Sequence, residues 1–202
     1  MTENPAALVR EAAGVNLATQ SQYLIKRKFW SFFERVFRVW TMDGQMIMYI
    51  KHPLMKLREE FTVYADEAQT RPILFMKSRQ VIAINFTYDV VDATTGMLLG
   101  TVQKKGLASI IRDKFHIFDA NGVEVGYAEE QGASLLRRFI PLLTSKHAVF
   151  VDGRQAAFIH QVFRFFTKEF MVTTQPSRLD PRFVLAVALL ALIAEARRED
   201  RN

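Results

Sequence analysis

The chain has 202 residues and no cysteine, which excludes disulfides, thiolate metal sites and thiol nucleophiles and fits a reducing compartment. Half of it is apolar and seventeen residues are Phe, enough for a sizeable core, so a disordered chain is excluded. The formal net charge of +6, with a pI near 9.7, favours anionic partners (phospholipid head groups, nucleic acid or acidic proteins), and a soluble protein that is merely basic is the alternative.

The first twenty residues read MTENPAALVREAAGVNLATQ. Glu3 precedes any cation, and Arg10 and Glu11 interrupt the apolar positions, a pattern unlike a signal peptide. Neither a Gly at position 2 nor a terminal Cys offers a lipidation signal. We read residues 1–20 as a short, loosely docked lead-in, in which Pro5 to Leu17 offers a helix. A single domain follows from 21 to 202. The expected location is cytoplasmic, at the inner face of the membrane where a lipid surface is the partner.

From Tyr23 onward the chain is written in β language. Tyr23–Phe29 opens it. Thr62-Val63-Tyr64, Val81-Ile82-Ala83-Ile84 and Val149-Phe150-Val151 are rich in branched and aromatic residues. Asp43-Gly44 separates RVFRVWTM from QMIMYIKH, and Thr94-Thr95-Gly96 separates TYDVVD from MLLGTVQKK. Asn121-Gly122 separates KFHIFD from VEVGYAE, and Asp152-Gly153 separates HAVFV from RQAAFIHQVF. Asn-Gly and Asp-Gly supply the positive φ angles of tight hairpins, so the spacing predicts a large antiparallel meander. Phe115 and Ile117 share one strand face and Lys114 and His116 the other. After the turn, Val123, Val125 and Tyr127 alternate with Glu124 and Gly126, as in a sheet with one apolar face. Glu59–Ala65, Ile73–Lys77 and Phe165–Thr173 bring the pattern to roughly a dozen strands.

Two helices are expected. A short one covers Ala133–Phe139 before Pro141. The second, over about 180–199, starts at Asp180, a good N-cap, with Pro181 at the first helical position. Phe183 to Ala194 is apolar on every side of a helical wheel, so it must be surrounded by lipid or by protein. Twelve residues reach about 18 Å, whereas a bilayer core is about 30 Å thick. Charged residues close both ends of the run: Asp180 and Arg182 before it, Glu195, Arg197 and Arg198 after it. The protein's own strands are the shell that fits this length, with a membrane span stretched by snorkelling arginines as the lesser alternative. A helix about 10–12 Å across fits inside a barrel larger than eight strands. The expected fold is therefore mainly β, a roughly twelve-stranded antiparallel barrel enclosing a C-terminal hydrophobic helix. Phe183, Leu185, Leu189, Leu190, Leu192 and Ile193 fill the lumen, and Ala186, Ala188, Ala191 and Ala194 let the backbones approach.

An ordered series of segments resembles a known family. It runs YLIKRKF from Tyr23, VYADE from Val63, TYDVVDATTG from Thr87 and KKGL from Lys104. Arg112-Asp113, DANG from Asp119, LLRRF from Leu135 and the Asp180-Pro181-Arg182 helix complete it. Together these resemble the LURP-one-related and phospholipid-scramblase-like group, over nearly the whole chain after residue 20. The resemblance implies the tubby C-terminal-like fold, a twelve-stranded barrel around a central helix. It also implies the associations of that group: phosphoinositide binding by tubby domains, calcium-triggered lipid movement by scramblases and defence in plants. The chain departs from the scramblases in two places. The segment before the last helix, KEFMVTTQPSRLD, lacks spaced carboxylates for calcium, and there are no cysteines to acylate.

Catalytic chemistry is not legible. Gly132-Ala133-Ser134 is followed by Leu135-Leu136, so there is no nucleophile elbow, and no P-loop is present. His52, His116, His147 and His160 lack ligand spacing, and no metal or cofactor is expected. Asp119-Ala120-Asn121-Gly122 opens like an EF-hand but lacks the later ligands, and a hairpin turn explains it. Glu59-Glu60 and Glu129-Glu130 are adjacent and, on strands, point to opposite faces, which does not suit acid–base partnership. The better lead is basic: Lys26, Arg27 and Lys28; Lys104 and Lys105; Arg112 and Lys114; Arg137 and Arg138. These recur beside aromatic residues and are the candidate lipid-binding set, each cation near an anionic membrane adding about 1 kcal/mol. The alternative is that they are solvated outer faces and guards against strand aggregation. The sequence thus favours a non-enzymatic module that binds anionic phospholipid or phosphoinositide peripherally. A soluble scaffold for an acidic or other protein partner comes second and a scramblase third. Nucleic acid is not an expected partner, since no recognition helix or RNA-binding aromatic signature is present.

Overall fold

The computed structural model describes residues 17, 20–28, 34–53, 60–79, 86–104, 114–131, 145–162, 164 and 167–199. The strands of the first half are β1 (Gln22–Lys28), β2 (Glu34–Thr41), β3 (Met46–Pro53), β4 (Phe61–Tyr64), β5 (Pro72–Ser78) and β6 (Phe86–Asp92). Those of the second half are β7 (Leu98–Lys104), β8 (Lys114–Asp119), β9 (Glu124–Glu130), β10 (Lys146–Val151), β11 (Arg154–Val162) and β12 (Thr167–Thr174). Each pairs antiparallel with its neighbours in sequence, and β1 pairs with β12, which closes the barrel and leaves no edge. The four hairpin signals of the sequence join β2 to β3, β6 to β7, β8 to β9 and β10 to β11. Gly44, Gly96, Gly122 and Gly153 have positive φ there, a conformation that a β-carbon disfavours.

One helix, Pro181–Glu199, follows β12 and runs through the lumen. The Asp180 carboxylate accepts the Arg182 N–H at 2.8 Å, and the Asp180 carbonyl accepts the Phe183 N–H at 2.9 Å, so the N-cap is satisfied. Every side chain from Phe183 to Ala194 is buried. The six large residues Phe183, Leu185, Leu189, Leu190, Leu192 and Ile193 fill the core against Tyr23, Ile25, Phe37, Ile50, Val102 and Ile117 of the wall. Each contributes about 1.5–3 kcal/mol by burial, as an upper figure. At Gly100 the wall comes so close to the Phe183 ring that a β-carbon would overlap it.

The β9 alternation expected from sequence does not hold. The β8–β9 register slips between Ile117 and Phe118: Phe118 faces Glu124 and Ile117 faces Gly126, which leaves Val125 as an extra residue. Such a bulge resets the alternation. Val125 is buried, Tyr127 stacks on Phe150 on the outer wall with ring centroids 5.0 Å apart, and Val123 is exposed on the turn. The expected helix over Ala133–Phe139, the run Val81–Ile84 and the lead-in before Leu17 lie outside the described residues. Leu17 itself is buried, and its carbonyl accepts the Tyr23 hydroxyl at 2.9 Å, so the lead-in is docked at that point.

Candidate functional site

The meander gives the barrel two chemically different ends. At the turn end stand the short connections 42–45, 65–71, 93–97, 120–123 and 152–153, together with the start of the helix. At the loop end stand the last residues of β1, β3, β5, β7, β9 and β11, the first of β2, β4, β6, β8, β10 and β12, and the end of the helix.

The turn end is a self-satisfied polar lock. Arg182 reaches Asp92 of β6 at 2.6 Å and Asp180 at 2.7 Å, with Arg182 and Asp92 both buried. Asp92 also accepts the N–H groups of Thr94 and Thr95 in the β6–β7 turn at 2.7 and 3.0 Å. Burial alone would raise the Asp92 carboxyl; the turn N–H groups and the Arg182 guanidinium outweigh it and hold the pKa below the ordinary aspartate value. Burial likewise works against the Arg182 charge, and Asp180 and Asp92 outweigh it, raising that pKa. On the rim, Arg178 bridges to Asp152 at 2.9 Å and to Asp119 at 3.8 Å, and Asp66 is tied to Thr70 and Arg71.

The loop end carries a layer of inward-facing charge around the last turns of the helix. Residues directly opposed in an antiparallel ladder send their side chains to the same face. Arg27 follows Tyr23 and Ile25 on the core face of β1, and Lys168 of β12 is its direct partner. Arg35 follows the same parity as Phe37 and Val39 on β2 and donates to the Ala196 carbonyl at 3.0 Å. Lys104 of β7 is opposed to Phe115 and lies 5.7 Å from its ring centre. Glu130 of β9 is opposed to His147 of β10, and His147 Nε2 lies 2.9 Å from Glu195 of the helix. Arg27 and Arg35 are only 8% and 5% exposed, and Glu130 and His147 are more deeply buried still.

The outer wall at this end is basic as well. Lys51 of β3, Lys77 of β5, Lys114 of β8 and Lys146 of β10 are exposed, as are Arg79 and Arg164 beyond the strand ends. Lys114 lies over the Tyr127 ring at 4.1 Å, Lys77 over Phe75 at 5.9 Å and Lys26 over Trp40 at 6.0 Å. Some of this charge is answered locally: Arg79 pairs with Asp89 at 2.6 Å, and Glu169 accepts Arg164 at 3.4 Å and lies 3.9 Å from Lys26.

The candidate lipid-binding set therefore does not form one patch on the wall. Lys26 faces outward and Arg27 faces the lumen. Lys28 ends β1, and Lys104 ends β7 on the inner face. Lys114 faces outward on β8. In the ring of strands β7 is six places from β1 in either direction, so these groups belong to opposite walls and share only the loop end. Lys105, Arg112, Arg137 and Arg138 lie outside the described residues. Sequence reasoning missed Arg35, Glu130, His147, Lys168 and Glu195 as one layer. Part of the signal was present: alternation with Tyr23 and Ile25 already puts Arg27 on the core face. Bringing β1, β2, β9, β10 and β12 around one helix end required the closed topology. Among the described residues no cluster of His, Asp and Glu could hold a metal ion.

The comparisons agree with this architecture. A family model described as LURP-one-related matches residues 21–191. An X-ray structure of a protein from Arabidopsis thaliana superposes with a TM-score of 0.51 at 16% identity, covering 91% of this chain and 99% of that one. At this identity it speaks for the fold alone. No curated protein matches the chain in sequence.

Proposed function

The chain belongs to the LURP-one-related family, and from that premise we propose that it is a non-enzymatic barrel module whose loop end docks peripherally on anionic phospholipid. The observation that carries the reading is the charge difference between the ends. Asp43, Asp66, Glu67, Asp119 and Asp152 line the turn end, while Lys51, Lys77, Lys114 and Lys146 stand exposed near the loop end. Lysines over aromatic rings keep an ammonium at the surface with an apolar stem beneath it, which suits a headgroup layer. Each exposed lysine brought to an anionic surface adds about 1 kcal/mol at moderate salt. Among the described residues no helix is long and apolar enough to cross a membrane.

Vesicle co-sedimentation tests it. Vesicles of phosphatidylserine and phosphatidylcholine should pellet the chain at low salt, vesicles of phosphatidylcholine alone should not, and the triple change Lys77→Glu, Lys114→Glu and Lys146→Glu should abolish binding. Equal binding to both vesicle types, or full binding by the triple variant, would sink the proposal.

A second reading, a protein-interaction scaffold, has one observation in its favour. Met42, Met97 and Val123 are the exposed large apolar residues among those described, and all three stand at turn-end hairpins. A protein partner retained at high salt, and lost when Met42 and Met97 become Ser, would favour that reading.

A further inference from the structure

We propose that Asn121, at the tip of the β8–β9 hairpin, is a site of spontaneous conversion to aspartate and isoaspartate, and that Asp119 gates the reaction. The run Asp119-Ala120-Asn121-Gly122 has no part in the lipid reading, and the inference does not rest on that reading. Of the nine glycines in the chain, Gly122 alone follows an asparagine. The other turn glycines with positive φ follow aspartate (Gly44 and Gly153) or threonine (Gly96). Asn121 and Gly122 are both exposed, and the space where a β-carbon of Gly122 would stand is open. A following residue without a side chain leaves the Asn121 amide accessible to the next backbone nitrogen.

The step is an internal acyl transfer. The Gly122 backbone nitrogen attacks Cγ of Asn121, the new N–Cγ bond closes a succinimide ring, and the Cγ–Nδ2 bond breaks. The proton lost by the attacking nitrogen leaves with the amide as ammonia. Water then opens the ring at either of its carbonyls. Opening at one gives aspartate, and opening at the other gives isoaspartate, whose backbone runs through Cβ. The sum is asparagine plus water giving the acid plus ammonia, so water is the one co-reactant.

The hairpin restrains the attacking nitrogen. Gly122 takes the left-handed conformation, φ 78°, that ends a short loop of this kind. The Gly122 N–H donates to the Asp119 carbonyl at 3.0 Å, and the Asp119 N–H donates to the Val123 carbonyl at 2.9 Å. The Asp119 carboxylate accepts the N–H groups of Asn121 at 2.9 Å and of Val123 at 3.0 Å. One residue thus fixes the backbone on both sides of the reacting peptide bond. Ring closure needs the Gly122 nitrogen turned toward the Asn121 side chain, so the tip has to open locally first. The product works against the same tip. Isoaspartate lengthens the loop by a backbone atom, and either product sets a further carboxylate near Asp119. Asp119 lies 3.8 Å from Arg178, which also holds Asp152 of the neighbouring hairpin at 2.9 Å, so the added charge falls beside the bridge that ties the two hairpins together.

Incubation of the full chain in mildly alkaline buffer, folded and unfolded in guanidinium chloride, tests it, read by peptide mass spectrometry and by isoaspartyl methyltransferase labelling. The unfolded chain should gain the amide-to-acid mass change at Asn121 before any other residue. The folded chain should react at the same residue but more slowly, by about tenfold or more, because the hydrogen bonds of the tip have to open. Asp119→Ala removes two of those bonds and should speed the folded chain by about tenfold. Asp119→Asn keeps an acceptor oxygen and should stay close to the unaltered chain. Asn121→Gln should abolish labelling at the tip. Equal rates in the folded and unfolded chains, or in Asp119→Ala and the unaltered chain, would overturn the gate. A folded chain that reacts first at another asparagine, or never at Asn121, would overturn the site. Should Asp119→Ala fail to fold by circular dichroism, the ratio of folded to unfolded rates in the unaltered chain decides the gate by itself.

Discussion

At the turn end one buried arginine meets two carboxylates and two turn N–H groups, and all of them belong to the chain's own helix start and the β6–β7 hairpin. At the loop end two buried arginines and two inward lysines share a layer with two carboxylates and a histidine drawn from six strands and the helix. The first arrangement is local and complete, which suits an anchor. The second is assembled from distant parts of the chain and depends on the closure of the barrel. Buried charge by itself is weak evidence of stability, since desolvation opposes the attraction. The difference between the ends is one of assembly: local contacts at the turn end, long-range ones at the loop end.

Four experiments probe that difference. The largest effect is expected between the two ends, in the apolar stretch on which both depend. Leu189→Lys places an unpaired charge in the middle of the lumen and should leave no folded protein by circular dichroism. A soluble variant with unchanged melting would refute the central-helix account. Next, Arg182→Met removes the lock and strands Asp92, and denaturant unfolding should show a loss of about 3–5 kcal/mol. A loss below about 1 kcal/mol would mean that the turn end is no anchor.

The third effect is a pH dependence. The folded-state pKa of Asp92 is depressed, so the stability it contributes is present above the unfolded value of about 3.9 and is lost as pH falls through the folded value. Acid unfolding should therefore steepen below about pH 4, and Asp92→Asn should be less stable at neutral pH with a shallower acid slope. A variant with an unchanged slope would take Asp92 out of the account. The smallest effect is expected on the loop rim. Lys146→Glu should change unfolding free energy by less than about 0.5 kcal/mol, because the side chain is exposed, while weakening adsorption to anionic vesicles. A large stability loss would show that the rim is structural and not a contact surface.

Much of the architecture was legible in the residues. The Asp-Gly and Asn-Gly turns, the Asp180-Pro181 start and the uniformly apolar Phe183–Ala194 run each reflect local physics: positive φ, N-capping and the need for an apolar shell. The β9 face was misjudged because a bulge at Val125 changes parity without a mark in the sequence beyond Gly126. The candidate basic residues were visible as charges, but not as neighbours. Strand alternation already puts Lys26 and Arg27 on opposite faces of β1, as found. Arg27 and Lys168 are far apart in sequence yet face each other.

That strands close around the last helix is already implied by the residues, because the apolar run Phe183–Ala194 is too short for a bilayer and too apolar for water. Where the charges meet is set by the closed barrel. Strand alternation assigns a residue to a face from its neighbours two positions away, but which faces converge depends on register and on the closure of β1 onto β12. Those follow from the packing of the whole wall around the helix, and no local stretch of residues encodes them.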